Sequence, residues 1–206
     1  MDKNPSLNYT IIDTKSALAA LAQKLQKQKR LGVDLEADSL YHFKEKVCLI
    51  QIAAEDSNIV IDPLKIKDLS ALKPVFKNAD VQKIFHGADY DIRSLYRDFK
   101  IRVNNLFDTQ LACRFLGMGE SSLEAVLKSR FDVHLNKKYQ RKDWSQRPLP
   151  QEMVAYAAED ARYLIPLAAE LTGNLLKKER LAWVEEECEY LSRVRPVSND
   201  SQPLFV

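Results

Sequence analysis

The stretch Leu31-Gly32-Val33-Asp34-Leu35-Glu36-Ala37-Asp38 reads as a short strand, apolar at one end and acidic at the other. Side chains alternate along a strand, so Asp34 and Glu36 share one face while Val33 and Leu35 take the other. Two ionised carboxylates side by side offer only acceptors and repel each other. A hard cation such as Mg²⁺ or Mn²⁺ relieves that repulsion, because oxygen ligands suit it. Alone the pair is weak evidence, since roughly one Asp-x-Glu arises by chance in a chain this long. Its meaning depends on what the rest of the chain brings to it.

The chain has 206 residues, enough for one domain with an ample core. A composition of 46% hydrophobic and 29% charged residues is that of a soluble globular protein. No apolar run approaches the ~18 residues of a membrane span, and the N-terminus lacks an apolar signal-peptide core. Cys48, Cys113 and Cys188 are odd in number, far apart and set among apolar residues. They read as reduced, buried thiols in a cytoplasm, not as disulfides or a zinc cluster. A net charge of +2 is too small to argue for nucleic acid; only local clusters could.

On either side of the acidic strand the pattern is legible. Tyr9-Thr10-Ile11-Ile12 is an edge strand, and Asp13 and Thr14 can cap a helix carrying Leu18, Leu21, Ala22 and Leu25. A polar loop from Ser39 to Lys46 leads into the near-continuous apolar run Val47 to Ala53, which has the look of a central strand. Glu55-Asp56-Ser57 turns into Asn58-Ile59-Val60-Ile61, so three strands make an antiparallel meander. A helix with Leu69, Leu72, Val75 and Phe76 follows, then a strand Val81 to Phe85, a helix over 88–99, a strand at Leu106-Phe107 and a helix from Thr109 to Leu116. A meander followed by strand–helix alternation predicts an α/β fold with a mixed sheet. Ser121-Ser122-Leu123-Glu124 offers a capping box for another helix. The stretch 132–149 is polar, basic and loop-like. Pro150 opens a helix that Pro166 kinks or splits. A charged helix spans about Lys178 to Val194, which leaves one domain over 1–195 and a disordered tail over 196–206.

Two helices break their own apolar pattern with acids. Asp91 lies one turn before Leu95, just after the strand ending Phe85-His86-Gly87, where α/β proteins place their sites. It can equally be a first-turn acid favoured by the helix dipole. His86 is open to two readings, a ligand or base, or a hydrogen-bonded structural residue. In the later helix, Asp160 interrupts the stripe of Met153, Ala157, Leu164, Leu167 and Leu171, and Tyr156 stands one turn earlier on the same side. Tyr156 can be an amphipathic core aromatic, but a buried carboxylate needs a cation or several donors. If Asp34, Glu36, Asp91 and Asp160 converge, their four negative charges match two divalent cations, the pair that clamps an in-line displacement at phosphorus. Tyr156, neutral at pH 7, suits orienting a water better than deprotonating it.

Asp34-Leu-Glu36, His86-Gly-Ala-Asp-Tyr-Asp91 and Tyr156-Ala-Ala-Glu-Asp160 resemble, in order, the three exonuclease motifs of the DEDD superfamily. The tyrosine four residues before the last Asp is that of its DEDDy branch. Leu106-Phe107-Asp108-Thr109-Gln110-Leu111-Ala112 and Asp143-Trp144-Ser145-Gln146-Arg147-Pro148-Leu149 are similar to ribonuclease D. The resemblance covers roughly residues 8 to 194. It implies a ribonuclease H-like mixed sheet flanked by helices, and 3′–5′ exonuclease action through two divalent cations, Mg²⁺ or Mn²⁺, releasing nucleoside monophosphates. Carried over by position, Asp34, Glu36 and Asp160 hold the nucleophile-side metal. Asp34 also reaches the second metal, Asp91 helps through water, and Tyr156 positions the attacking water. Ribonuclease D has helical C-terminal domains that help hold RNA, and none follows in this sequence, which puts tRNA-type substrates in doubt.

The stretch Lys137-Lys138-Tyr139-Gln140-Arg141-Lys142-Asp143-Trp144 mixes cations with aromatics ahead of the last motif, a mixture that suits a single strand. Lys138, Arg141 and Lys142 are expected on phosphates, Trp144 either on a base or in the core, and His86 beside the strand. The expected partner is the 3′ end of single-stranded RNA. A DNA exonuclease of proofreading or repair type and a non-catalytic RNA-binding adaptor are the alternatives, and the intact set of five residues argues against the adaptor.

Overall fold

The computed structural model describes residues 8–196. Six strands form one mixed sheet: β1 (Tyr9–Ile12), β2 (Arg30–Ala37), β3 (Val47–Ala54), β4 (Ser57–Ile61), β5 (Gln82–Phe85) and β6 (Leu106–Asp108), in the order β1-β4-β3-β2-β5-β6. β2, β3 and β4 are the expected antiparallel meander. β1 adds parallel to β4, β5 parallel to β2, and β6 parallel to β5. The acidic strand is therefore interior. All of β3 is buried except its last residue, which accounts for its unbroken apolar run.

Helices cover the sheet: α1 (Lys15–Leu25), α2 (Pro63–Ile66), α3 (Lys73–Lys77), α4 (Asp89–Phe99), α5 (Thr109–Phe115), α6 (Leu123–Phe131), α7 (Gln151–Asp160), α8 (Leu164–Lys177) and α9 (Leu181–Ser192). Thr14 caps α1, accepting from the Ala17 amide at 3.3 Å. The single helix expected around Leu69–Phe76 is instead α2, a 3₁₀ turn at Ser70–Leu72, and α3. Pro63 and Pro74 sit in the first turns of α2 and α3, where a missing N–H costs nothing, and so restart the chain. Pro166 falls in the first turn of α8, and the expected long helix is split at 161–163. Pro150 is the N-cap residue of α7 rather than its first helical residue. At α6 the cap is Ser122, which accepts from Ala125 N; the reciprocal box from Ser121 does not form, and Glu124 pairs with Lys137 instead. One large apolar core joins β2, β3 and β5 to α1, α4 and α8, and a smaller one lies under α7, around Leu49, Val60, Trp144 and Met153. Residues 197–206 of the expected tail lie outside the described residues.

Candidate active site

β2 is straddled closely at one glycine. A Cβ at Gly32 would lie 2.7 Å from the Ala161 carbonyl oxygen and 3.1 Å from Leu164 Cβ. Only glycine lets the α7–α8 junction come down on the strand there. Asp160 ends α7 immediately before that junction, and Asp34 follows Gly32 by two residues on the same face. The contact thus sets Asp160 over Asp34. Carboxylate oxygens of Asp34, Glu36 and Asp160 all lie within 4.8 Å of one another.

Asp91 comes from the other side of β2. β5 runs parallel to β2, and its carboxyl end leads through Gly87, with φ +76°, into α4. Asp108 fixes this turn: its carboxylate accepts from Gly87 N (2.9 Å), Ala88 N (2.8 Å) and Gln110 N (2.8 Å). The first turn of α4 is thereby held at the end of the strand, and Asp91 is buried there. Asp108 was not among the expected site residues. A buried acid that caps two backbone segments leaves no mark in sequence beyond an Asp before a helix.

The electrostatics are those of a crowded anion site. Burial pushes the Asp34 carboxyl from 3.8 up to about 6. Burial, then the charges of Asp34 and Glu159, push Asp160 up to about 8, against a hydrogen bond from Tyr156. Glu36 is raised well above its ordinary value by burial and then by Asp34, Asp160 and Asp91. Asp91 is raised likewise by burial and then by Asp34 and Asp108. Such groups are neutral or repelling unless positive charge is supplied. Converging carboxylate oxygens whose charged neighbours are other acids are the donor set of a hard divalent cation. The four acids therefore fit the expected metal group, with Asp91 standing outside the closest three.

Tyr156 is one helical turn before Asp160 and hydrogen-bonds to it. Burial and the neighbouring acids push its phenol far above its ordinary value, so it keeps its proton. Its ring is clamped: Trp144 stacks on it with centroids 6.1 Å apart, and Tyr139 meets it edge-on at 5.7 Å. Trp144 is only 1% exposed, so its ring cannot stack on a base, and that expectation is corrected to a supporting role behind Tyr156. The loop bearing it is anchored by Arg147, whose Nε and Nη2 reach Asp62 at 2.7 and 2.9 Å, with Nη2 also donating to the Cys48 carbonyl. This bidentate pair is largely buried.

A cavity of about 350 Å³ opens over the acids, lined also by His86, Gln110, Asn136, Lys137 and Gln140. His86 lies in its wall. Thr109 gives its hydroxyl proton to the Phe85 carbonyl at 2.8 Å and so accepts from His86 Nδ1 at 2.9 Å. Burial holds the imidazole below its ordinary value, so it is neutral at pH 7. It is a hydrogen-bonded wall residue and stands outside the metal triangle. The expected cations divide. Lys138 lies 3.8 Å from Glu152, whereas Arg141 and Lys142 are exposed and make no ion pair among the described residues.

Residues 9–176 match the family model described as 3′–5′ exonuclease. The protein RRP6-like 3 of Arabidopsis thaliana is 43% identical over 169 residues, which are 82% of this chain and 19% of that protein. The chain thus spans about a fifth of the length of that curated relative. The catalytic core of RRP6 from Trypanosoma brucei superposes with a TM-score of 0.89 at 36% identity, over 94% of this chain and 54% of that one. Escherichia coli RNase D, an exoribonuclease involved in structured RNA processing, superposes with a TM-score of 0.84 at 28% identity, over 90% of this chain and 50% of that one. The mixed sheet expected from the motifs is that of these structures.

Proposed function

The chain belongs to the 3′–5′ exonuclease domain family, and from that premise we propose that it hydrolyses single-stranded RNA from the 3′ end, releasing nucleoside 5′-monophosphates. The observation that carries this is the convergence of Asp34, Glu36 and Asp160 within 4.8 Å at a cavity whose wall includes the Tyr156 hydroxyl's helix. Two divalent cations, Mg²⁺ or Mn²⁺, would be held by Asp34, Glu36 and Asp160, with Asp91 through water, and would supply charge stabilisation to the attacking and leaving oxygens. Asp34, whose charge acts on Glu36, Asp91 and Asp160 alike, would help hold both cations. Tyr156 orients the attacking water. Its raised pKa bars it from acting as a base, and its clamped ring keeps the hydroxyl where Asp160 holds it. Asp108 and Gly32 set the backbone that presents these groups. Gln110, Asn136 and Gln140 in the cavity wall would offer amides to a base and ribose.

The preference for RNA is supported by the likeness to RNase D, an exoribonuclease. A cytoplasmic setting is supported by three free, buried thiols. The test is purified protein with matched RNA and DNA oligonucleotides, labelled at either end, in Mg²⁺, Mn²⁺ or chelator. A 3′ label should leave at once as a mononucleotide, and a 5′ label should shorten as a ladder, in metal only. Internal cleavage, or equal activity in chelator, would refute the reading.

A further inference from the structure

The loop joining β2 to β3 displays side chains that the fold does not use. Phe43 is fully exposed, at 104%, Leu40 is 70% exposed and Tyr41 50%. Large apolar groups scattered singly on a surface need no explanation, but a cluster on one loop does. The loop is braced. Asp38 has a wholly buried side chain that accepts from Lys46 N at 2.7 Å and pairs with Lys46 Nζ at 3.2 Å. The Asp38 carbonyl accepts from the amides of Tyr41 and His42. Glu45 accepts from the Tyr90 hydroxyl and pairs with Arg97. Phe43 therefore projects from the tip of a fixed structure.

The same loop is tied to the basic loop across the site. Tyr41 donates its hydroxyl to the Arg141 carbonyl at 2.8 Å, and His42 Nε2 lies 3.1 Å from Ser145 Oγ. The tied loops carry three exposed cations, Lys44 on one and Arg141 and Lys142 on the other, none of which has an ion pair among the described residues. Their neighbours Lys46, Lys137 and Lys138 are already paired with Asp38, Glu124 and Glu152. One loop begins two residues after Glu36, and the other lines the cavity with Asn136, Lys137 and Gln140 and stacks Trp144 on Tyr156.

We propose that this double-loop rim carries the single strand just upstream of the terminal nucleotide, with a base stacked on Phe43 and phosphates on Lys44, Arg141 and Lys142. An exposed aromatic among unpaired cations suits a single strand, because every base has a π-face and every phosphate a charge. A protein groove would not need three free cations beside an acidic centre. The proposal rests on the 3′–5′ exonuclease reading, and it predicts a dependence on strand length that the cavity alone does not give.

The experiment uses the full chain with Phe43→Ala, Phe43→Trp and a Lys44→Ala/Arg141→Ala/Lys142→Ala triple variant. The first measurement is binding of a 5′-fluorescent oligoadenylate 12-mer in chelator, over a range of salt. The second is kcat/KM in Mg²⁺ on the 12-mer and on a dinucleotide. Phe43→Ala should weaken 12-mer binding about tenfold, the size of one lost stacking contact. It should lower the 12-mer-to-dinucleotide ratio of kcat/KM by a similar factor, and Phe43→Trp should restore both. The triple variant should flatten the salt slope by about 2, at ~0.7 per phosphate contact on a single strand. An unchanged Kd and ratio in Phe43→Ala, or an unchanged slope in the triple variant, overturns the proposal and leaves the loop to a protein partner. A wild type that binds the 12-mer through Phe43 yet hydrolyses neither substrate refutes the exonuclease reading and not the rim.

Discussion

Replacing Asp34 with asparagine should stabilise the metal-free protein and sharply reduce its response to metal. The carboxyl moves from 3.8 to about 6 on folding, chiefly because it is buried. A folded pKa above the unfolded one means the folded state holds a proton that the unfolded state has released. Stability therefore falls as pH rises from about 4 through about 6 for Asp34, and on to about 8 for Asp160. Above that window the Asp34 penalty is complete, at roughly 3 kcal/mol. An asparagine amide left short of partners gives back roughly 1 kcal/mol. The net gain of about 2 kcal/mol corresponds to a melting temperature higher by roughly 4–8 °C at pH 8 in chelator. At pH 5 roughly half of that penalty remains, because the unfolded carboxyl is already ionised, and the amide's own cost offsets most of it, so the two proteins should melt within about 3 °C of each other. Mg²⁺ at 100 times its dissociation constant should stabilise the wild type by about 2.7 kcal/mol per independent site and the variant far less. The assay is thermal melting of both proteins in chelator and in Mg²⁺ from pH 5 to 8.5. If Asp34→Asn melts lower than wild type in chelator at pH 8, and both respond equally to Mg²⁺, the acids do not share a cation and the reasoning fails.

Tyr156→Phe keeps the ring clamped by Trp144 and Tyr139 and removes only the hydroxyl, so single-turnover hydrolysis should fall by about 10²-fold with RNA affinity in chelator unchanged. A variant that binds RNA weakly yet turns over normally at saturation would contradict the water-orienting role. Arg147→Ala breaks a largely buried bidentate pair and strands Asp62, at a cost of about 3–5 kcal/mol, which should lower the melting temperature by at least 6 °C; a change under 2 °C would mean the pair does not anchor the loop. Gln51, opposite Asp34 on β3, has both side-chain polar atoms buried without a partner among the described residues. Gln51→Met should therefore raise the melting temperature in chelator by roughly 2–4 °C, and a fall would show that the amide is hydrogen-bonded through water.

The acids were legible because each stands where an apolar residue is expected. Asp34 and Glu36 interrupt a buried strand, and Asp91 and Asp160 interrupt or edge helical stripes. The meander was legible from short links between apolar runs. The supports of the site were not. Gly32 is one of five glycines in the chain, and only a carbonyl 2.7 Å from its missing Cβ shows why that position tolerates nothing larger. Asp108 and Arg147 look like ordinary surface charges until the backbone groups they satisfy are in place. Trp144 could equally have met a base or the core, because an indole suits both. Tertiary packing decided it, by setting its ring behind Tyr156. The displayed loop at Phe43 is not legible in the sequence, because a polar segment with two aromatics, Tyr41 and Phe43, has no period to read.

The strand order explains why four acids separated by more than a hundred residues meet at all. β2 lies between an antiparallel neighbour, β3, and a parallel one, β5. The parallel partner needs a crossover, and its returning end delivers α4 and Asp91 to the end of β2 where Asp34 and Glu36 stand. The antiparallel side brings the loop from 38 to 46 back over that same end. α7 then crosses the sheet and stops on Gly32, because Pro166 sits in the first turn of α8 and the chain must break before it. Each device raises local cost: carboxyls are desolvated, and an amide at Gln51 is left unpartnered among the described residues. These costs gather over one face of β2 and its neighbours, while the opposite face of β2, Leu31, Val33 and Leu35, is fully apolar and packed. Stability and chemistry are divided by the alternation of a single strand. A one-residue slip of β2 would exchange the two faces and lose both at once.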